Sequence, residues 1–368
     1  MSFQEAIQYR TELHQLAELS GEEIKTAQYI QNKLEDMGFA VRSGVGGHGL
    51  IVDISSGNEG PVVMLRADID ALPYTDPNDP EKIEAIHACG HDAHAAILLA
   101  AAPEIRSSLK KGTVRLVFQP AEESLQGALA MIKDGALEGV DIAVGSHIRP
   151  VQDLPFGKYC ASVNHVACAT VEVRIDGKQA HAARPHLGIN PIEAASQYIA
   201  SIALIKIDPN KSWSVKPTQI FSEVGATNSI PSFVRIAYDL RAQDNAALEA
   251  IIERMKLAAA SLEGSFGAKA SCEVTEYCPG PEYDAALNEL FRETVTETIG
   301  KDALHANCGG GGEDFHFYKK AKPELRVLYY GIGSGAAPGL HDRNMNFNVE
   351  ILPQASQLLV NLVNKILA

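Results

Sequence analysis

The sequence contains no apolar run of the roughly 20 residues that a membrane-spanning helix needs, although 46% of its residues are hydrophobic. It also has no surplus of positive charge, because Asp and Glu outnumber Lys and Arg and the formal net charge is -14. That balance argues against nucleic acid or an anionic membrane as a partner. Residues 1–5 do not have the pattern of a signal peptide.

Cysteine is scarce and scattered. The six cysteines are spread over 368 residues rather than crowded together as in a small secreted scaffold. We therefore expect free thiols and a cytoplasmic protein. Internal repeats and low-complexity tracts are also missing from the sequence.

What the sequence does contain is an alternation of strand-like and helix-like segments. Short apolar runs bounded by Gly or Pro, such as 49–54 and 62–65, alternate with segments of helical periodicity. This alternation predicts an α/β fold with helices on both faces of a sheet. Ser20 and Glu23 have the spacing of a capping box for the helix that follows, and Pro103 is expected to break or kink a helix that starts near Ala95.

The pattern changes near residue 165. From there the order βαββαβ, with Asn190 as the predicted N-cap of its first helix, indicates a ferredoxin-like sandwich. The α/β pattern resumes afterwards, so this unit is predicted to be inserted into the first. Because 368 residues also exceed what one hydrophobic core usually supports, we expect two domains, 1–165 with 278–368 and the insertion 166–277.

The densest group of reactive side chains lies between His87 and His94, where three imidazoles, a thiol and a carboxylate fall together. Cys89 and His91 are separated by one glycine, which lets the backbone turn tightly enough for both to reach one cation. A closed zinc site needs four such ligands nearby. The stretch therefore predicts part of an open, catalytic metal site, and the alternative is a buried Cys with surface histidines.

Further polar residues follow predicted strands. They are Asp68 and Asp70, the pair Glu122–Glu123, and His147. Of two adjacent glutamates, one can bind a cation while the other transfers protons. Taken singly, the glutamates could be a solvated pair, the aspartates a turn before Pro73, and the histidine an ordinary one.

Together these segments resemble the metal-dependent family of aminoacylases, carboxypeptidase G, hippurate hydrolase and indole-acetyl-amino-acid hydrolases. The form His-Ala-Cys-Gly-His-Asp is similar to the subfamily that acts on N-acyl amino acids. The resemblance implies a phosphorylase/hydrolase-like three-layer catalytic domain with an inserted lid or dimerisation domain. The matching segments are 14–20, 65–73, 87–94, 119–123, 180–185, 312–315 and 339–341.

The resemblance also implies roles for individual residues. Glu122 matches the general base, and Asp70 matches a carboxylate that orients the site. One or two divalent cations (Zn, Mn, Co or Ni) are implied, with ligands at five positions: Cys89, His91, Glu123, His147 and His341.

In the inserted domain His181 matches a residue that stabilises the oxyanion, often from the partner subunit of a dimer. Asn228 and Arg241 match positions that hold the substrate's carbonyl and carboxylate. The alternatives are a turn for Asn228 and a surface ion pair for Arg241. The sequence leaves monomer or homodimer open, and with it whether His181 acts in its own subunit.

The resulting hypothesis is a hydrolase that cleaves the amide of an N-acyl amino acid or short peptide-like molecule, using water activated by a metal ion. The alternative is an inactive metal- or ligand-binding protein with the same fold. One departure from the family concerns the segment after His341, where the usual x-Pro-x-Phe is replaced by Asp342-Arg343-Asn344-Met345. We expect the loop that carries His341 to differ in shape, with Arg343 adding a charge near the site.

Overall fold

A computed structural model describes residues 3–223 and 225–368. The chain forms two compact units, Met1–Asn164 with Glu282–Ala368 and, inserted between these segments, His165–Pro281. Each unit has its own hydrophobic core. The predicted fold class, an α/β domain with an inserted ferredoxin-like domain, is confirmed.

Nine α-helices are found in the described part of the chain. None of them is both long and apolar enough to cross a bilayer. The helices are α1 (Glu5–His14), α2 (Ile24–Asp36), α3 (His91–Ser108), α4 (Gly127–Lys133), α5 (Pro191–Ile202), α6 (Asn245–Phe266), α7 (Ala285–Thr298), α8 (His316–Ala321) and α9 (Ile351–Ile366).

The strands fall into one large sheet, one four-stranded sheet and three small pairings. They are β1 (Arg42–Val45), β2 (Gly49–Ser55), β3 (Val62–Asp68), β4 (Leu72–Asp76), β5 (Asp79–Ile86), β6 (Thr113–Gln119), β7 (Ile142–Pro150), β8 (Tyr159–Cys160), β9 (Val163–Asn164), β10 (Ala167–Asp176), β11 (Ala180–His181), β12 (Trp213–Ser222), β13 (Ser229–Ile230), β14 (Phe233–Ala242), β15 (Lys269–Cys278), β16 (Leu304–His305), β17 (Cys308–Gly309) and β18 (Arg326–Ala336).

The large sheet belongs to the first unit and has the order β1-β2-β6-β3-β7-β18-β8-β16. Its centre, β6-β3-β7-β18, is parallel. These strands are buried along almost their whole length, as expected when layers cover both faces of a parallel sheet. Helices α1, α3 and α9 pack together, while α4 packs against β6 and α8.

Two local predictions in this unit are wrong, the helix break at Pro103 and the capping box of Ser20 and Glu23. Pro103 lies inside α3 without ending it, because thirteen buried residues hold this helix in the core. The expected capping box is also absent: α2 begins at Ile24 and its N-cap, Glu23, makes no side-chain capping bond. The side chains of Ser20 and Glu23 instead make contacts near the sheet edge, described below.

The second unit has the order βαββαβ in its main elements, β10-α5-β12-β14-α6-β15, and an antiparallel sheet ordered β12-β14-β10-β15. The predicted cap of α5 is confirmed, since Asn190 Oδ1 accepts a hydrogen bond from the Ile192 N–H. Apolar side chains alternate along β10 and β14, with one face packed against α5 and α6.

Candidate active site

Neighbouring parallel strands bring the predicted polar residues to one edge of the large sheet. β3 and β6 end at the register partners Asp68 and Gln119. Asp70 and the pair Glu122–Glu123 follow these ends, and His147 lies on the carboxyl half of β7. Such an edge is where α/β sheets commonly place functional side chains.

The next two residues of the site, Cys89 and His91, flank Gly90, the left-handed N-cap of helix α3. Gly90 has φ 88°, and a Cβ there would lie 2.2 Å from Ile148 Cδ1, so only glycine fits. The turn at this glycine lets the donor atoms of Cys89 and His91 lie within 4.8 Å of each other, in one group with His147. The Cys89 Sγ is 3.3 Å from His147 Nε2.

All five predicted ligands are brought together. Three overlapping groups of donor atoms, each within 4.8 Å of one another, contain them: Cys89 with His91 and His147, Cys89 with Glu123 and His341, and His91 with Glu122 and Glu123. The Glu123 Oε1 lies 3.7 Å from His91 Nε2 and 3.6 Å from His341 Nε2.

Hydrogen bonds set the tautomers of two buried histidines. The His91 Nδ1 is 3.0 Å from Asp70 Oδ1, and the His147 Nδ1 is 2.5 Å from the Ile148 carbonyl oxygen. A carbonyl or carboxylate oxygen accepts, so Nδ1 of each ring carries a proton and Nε2 faces the site. Burial lowers the pKa of His147 well below its usual range, which keeps this ring neutral.

Asp70 ties three parts of the site together. Besides His91, it accepts hydrogen bonds at Oδ2 from the Ser20 hydroxyl (2.7 Å) and the Glu123 N–H (3.0 Å). Burial opposes its ionisation, but these hydrogen bonds lower its pKa. Asp70 is thus an ionised acceptor that fixes a ring and a backbone segment at once.

Glu122 is buried with its Oε2 3.9 Å from His91 Nε2, and the Asp314 N–H points at its Oε1 from 3.4 Å. Burial and the negative charges of Glu313, Asp314 and Glu123 raise its pKa well above the usual range of a carboxyl. A carboxyl of this kind takes up a proton readily.

A buried ionic network lies behind the glutamates. Arg66 donates to Asp68 (2.6 Å), Asp314 (2.6 Å) and Gln119 (2.9 Å), and its guanidinium lies 3.1 Å from Glu313. One cation therefore faces three carboxylates. Burial and the charge of Glu313 outweigh the opposing effect of Arg66 and raise the pKa of Asp314 to about 7.

The remaining residues of the His87–His94 stretch have other surroundings. His94 is 2.5 Å from Asp68 at Nδ1 and accepts the Ile148 N–H at Nε2, so both ring nitrogens are occupied. Asp92 pairs with Arg10 and His14. Burial lowers the pKa of His87 to about 4.

The candidates of the second unit are exposed. His181 lies on β11, opposite Ser229 on β13, and the Asn228 carbonyl accepts a hydrogen bond from the Ala182 N–H. His181 and Asn228 therefore share one edge of this unit. Arg241, on β14, donates to Asp239 at 2.8 Å, which is the ion pair considered as its alternative.

Sequence reasoning missed several supporting residues. The Glu23 carboxylate accepts hydrogen bonds from the N–H groups of Gly21 and Ala121, both 2.8 Å long. Ala121 has φ 56°, a conformation that costs a non-glycine residue and needs such support. The spacing of Ser20 and Glu23 indicated a helix cap and gave no sign of their role at the sheet edge. Arg66 could have been identified from the sequence, because it is a charged residue inside the apolar run of β3.

Known proteins resemble this chain over most of its length. It is 35% identical over 327 residues to the N-acetyl-L-cysteine deacetylase of Bacillus subtilis, covering 85% of this chain and 77% of the relative. It is 31% identical over 374 residues to the N-acetylcysteine deacetylase of the same organism, covering 97% and 95%.

A solved structure agrees with these relatives. The Bacillus subtilis YXEP protein, described as a dinuclear metal-binding peptidase of the M20 family, superimposes with a TM-score of 0.81 at 29% identity and covers 99% of this chain and 98% of its own. The family model described as "Peptidase family M20/M25/M40" matches residues 64–365. These matches confirm the predicted resemblance, and the chain belongs to peptidase family M20/M25/M40.

Proposed function

We propose that this protein is a metal-dependent amidohydrolase that cleaves the amide of an N-acyl amino acid or a small peptide-like molecule. The observation that carries the proposal is the convergence of five donor residues on one space next to the buried carboxyl of Glu122. The two deacetylases described above support the substrate class, because their names specify acetylated cysteine.

The residues fit a divalent cation. His91 Nε2 and Glu123 Oε1 are buried and have no hydrogen-bond partner in the part of the chain that the structure describes, which is costly unless something else binds them. Cys89, His91, Glu123, His147 and His341 would hold one or two ions. This mixed set of thiolate, imidazole and carboxylate suits Zn, Mn, Co or Ni. A cation there supplies Lewis acidity, which lowers the pKa of water from 15.7 to about 7 and polarises a carbonyl oxygen.

Glu122 is proposed as the general base. Its carboxyl lies beside His91, and its high pKa suits a group that takes a proton from the attacking water and then passes it to the nitrogen of the departing amine. Asp70 is proposed to orient His91, since it accepts from the opposite side of that ring.

His181, Asn228 and Arg241 are proposed to act on the substrate from the second unit. Their exposure leaves the imidazole, amide and guanidinium accessible to a ligand. Arg241 suits a carboxylate because its fork can donate two parallel hydrogen bonds, in competition with Asp239. His181 would stabilise the developing oxyanion.

A homodimer formed through the second unit is part of the proposal. Strand β12 lies at the edge of its sheet and exposes Ile220 (61%) and Phe221 (45%). An unpaired edge with exposed apolar side chains can pair with a second copy. Light scattering of the purified protein would give twice the monomer mass, and a monomer at all concentrations would exclude this part.

We also propose a cytoplasmic location. All six cysteines are free in the structure, which suits a reducing compartment. Cell fractionation with an antibody to the native protein tests it, and recovery outside the cytoplasmic fraction would count against it.

The central test joins metal content to hydrolysis. Purified protein should contain about one or two divalent ions per chain, and it should hydrolyse members of a panel of N-acyl amino acids. Chelation should abolish hydrolysis and re-addition of Mn²⁺ or Zn²⁺ should restore it. Activity that survives complete metal removal would refute the proposal, and binding of the panel without any cleavage would favour the inactive alternative, for which the hydrolase relatives give no support.

A further inference from the structure

His341 differs from the other proposed ligands in how it is held. Its side chain is 55% exposed, while Cys89, His91 and His147 are buried and the side chain of Glu123 is 11% exposed. Its backbone has φ 64°, in the left-handed region that non-glycine residues rarely adopt. Such a conformation persists when the surroundings fix it, so the neighbours of His341 determine where its ring points.

Both peptide groups of His341 are bonded to one segment of the chain. Its N–H donates to the Ala88 carbonyl oxygen at 2.9 Å, and its own carbonyl accepts the Tyr74 hydroxyl at 2.7 Å. Tyr74 lies on β4, and Ala88 comes two residues after β5 and directly before Cys89. The hairpin β4–β5 therefore connects the His341 backbone to the segment that carries Cys89.

Arg343 binds the same hairpin at both strands. Its Nη1 donates to the Thr75 carbonyl oxygen on β4 at 2.8 Å, and its Nη2 donates to the Glu84 carboxylate on β5. Tyr74 and Glu84 are direct cross-strand partners, and the Arg343 Cζ is 6.0 Å from the centre of the Tyr74 ring. A planar guanidinium with two fixed acceptors holds its own backbone in one orientation.

We propose that Tyr74, Thr75, Glu84 and Arg343 form a hairpin clamp that positions the His341 imidazole toward Glu123, 3.6 Å away. The proposal rests on the metal-dependent function given above, because it assigns residues that act on a proposed ligand. They are positioning residues, since neither substrate nor metal needs to touch them. Arg343 lies two residues after His341, in the segment 342–345 that follows this proposed ligand.

The first experiment measures metal affinity with a chromophoric chelator competing for Zn²⁺. Arg343→Met and Tyr74→Phe should each weaken binding about 10-fold, the lower end of what partners behind a ligand typically contribute. Lys25→Met is the matched control, because Lys25 is an exposed residue of α2, in the same unit but outside the hairpin and the His341 loop. It should leave affinity unchanged.

The same measurement in a His341→Ala background separates positioning from general damage. If the clamp acts through His341, adding Arg343→Met to His341→Ala should not weaken Zn²⁺ binding further. An equal loss in both backgrounds, or unchanged affinity in both single clamp variants, would refute the proposal.

The second experiment needs no metal. In metal-free protein, hydrogen exchange of a peptide covering residues 337–346 should become about 10-fold faster at the hydrogen-bonded His341 amide in Arg343→Met and stay unchanged in Lys25→Met. Unchanged exchange in Arg343→Met would overturn the clamp. Failure of the wild-type protein to bind any divalent ion would instead refute the proposed function, and the exchange comparison would still decide whether the clamp exists.

Discussion

The two units treat buried charge in opposite ways. The first buries Arg66, Asp68, Asp70, Glu122 and Glu313 among many other polar side chains. In the described part of the second unit, His165 is the one buried side chain of this kind, and the candidates His181, Asn228 and Arg241 are exposed.

Because of this difference, the candidate functional residues of the first unit also affect its stability, while those of the second unit do not. Buried charges cost free energy unless they are paired or bind an ion, so the first unit should lose stability when Arg66 or an ion at its ligand site is removed. The second unit follows the ordinary rule of an apolar core with a polar surface. Its candidate residues can therefore change without disturbing its fold.

The largest expected effect concerns turnover. Glu122→Gln keeps the shape of the side chain but cannot take a proton, and kcat should fall about 10²–10⁴-fold while metal content stays the same. Glu172→Gln, a half-buried residue on β10 of the second unit, is the control and should leave kcat unchanged. Steady-state kinetics with metal analysis would check both, and normal kcat in Glu122→Gln would mean that another group is the base.

Removal of metal should destabilise one unit only. A cation at 1,000 times its Kd stabilises the state that binds it by about 4 kcal/mol. Because all five proposed ligands lie in the first unit, a chelator should lower the melting temperature of that unit and spare the other. Calorimetry of the whole chain, with hydrogen exchange of peptides from each unit, would measure this. A uniform loss of protection in both units would contradict the comparison.

Removal of Arg66, the central cation of the buried network, should strongly lower the stability of the first unit. Arg66→Met leaves Asp68, Glu313 and Asp314 without their shared partner and should lower the free energy of unfolding by about 3–5 kcal/mol. Arg254→Met, on the exposed face of α6, should change it by no more than about 0.5 kcal/mol. Urea unfolding of both variants measures the difference, and similar values would show that the network contributes little.

Helix caps should give the smallest effect, and the two units should respond equally. Asp284 caps α7 and Asp244 caps α6, each accepting an N–H bond of 2.9 Å. Replacing either by Ala should cost about 1 kcal/mol. The partners Arg326 and Lys211 lower the pKa of Asp284 and Asp244, so each contribution is present above the ordinary Asp value of about 4 and is lost as the pH falls through the lowered value. Urea unfolding at pH 7 and pH 3 checks this, and a cost that grows on acidification would have the wrong sign.

The sequence predicted the second unit's element order because its signals are local. Alternating apolar residues, the Asn190 cap and the periodic stripe of α6 each act within a few residues, and the structure follows them. In the first unit, the residue types with metal-binding chemistry were visible for the same reason.

What the sequence could not predict are contacts between distant segments. Ser20 bonds Asp70 and Glu23 bonds Ala121, so the sheet edge uses both side chains, although their spacing indicates a local cap. Pro103 stays inside α3 because burial of the helix outweighs the hydrogen bond that proline cannot make. The clamp on His341 depends on residues 74 and 343, and no local pattern relates them.

The pairing of β10 with β15 has a consequence for the order of folding. Cys168 and Cys278 are direct register partners, so the points where the chain enters and leaves the second unit lie about 5 Å apart. Once that unit has formed, its two ends are held close together. The whole segment then acts as a short connection, and closing this connection costs little conformational entropy. If it has not formed, the same connection is a long flexible loop that must close before β7 and β18 can pair. We therefore expect slow folding of the second unit to delay formation of the large sheet, while slow formation of the sheet leaves the second unit free to fold first.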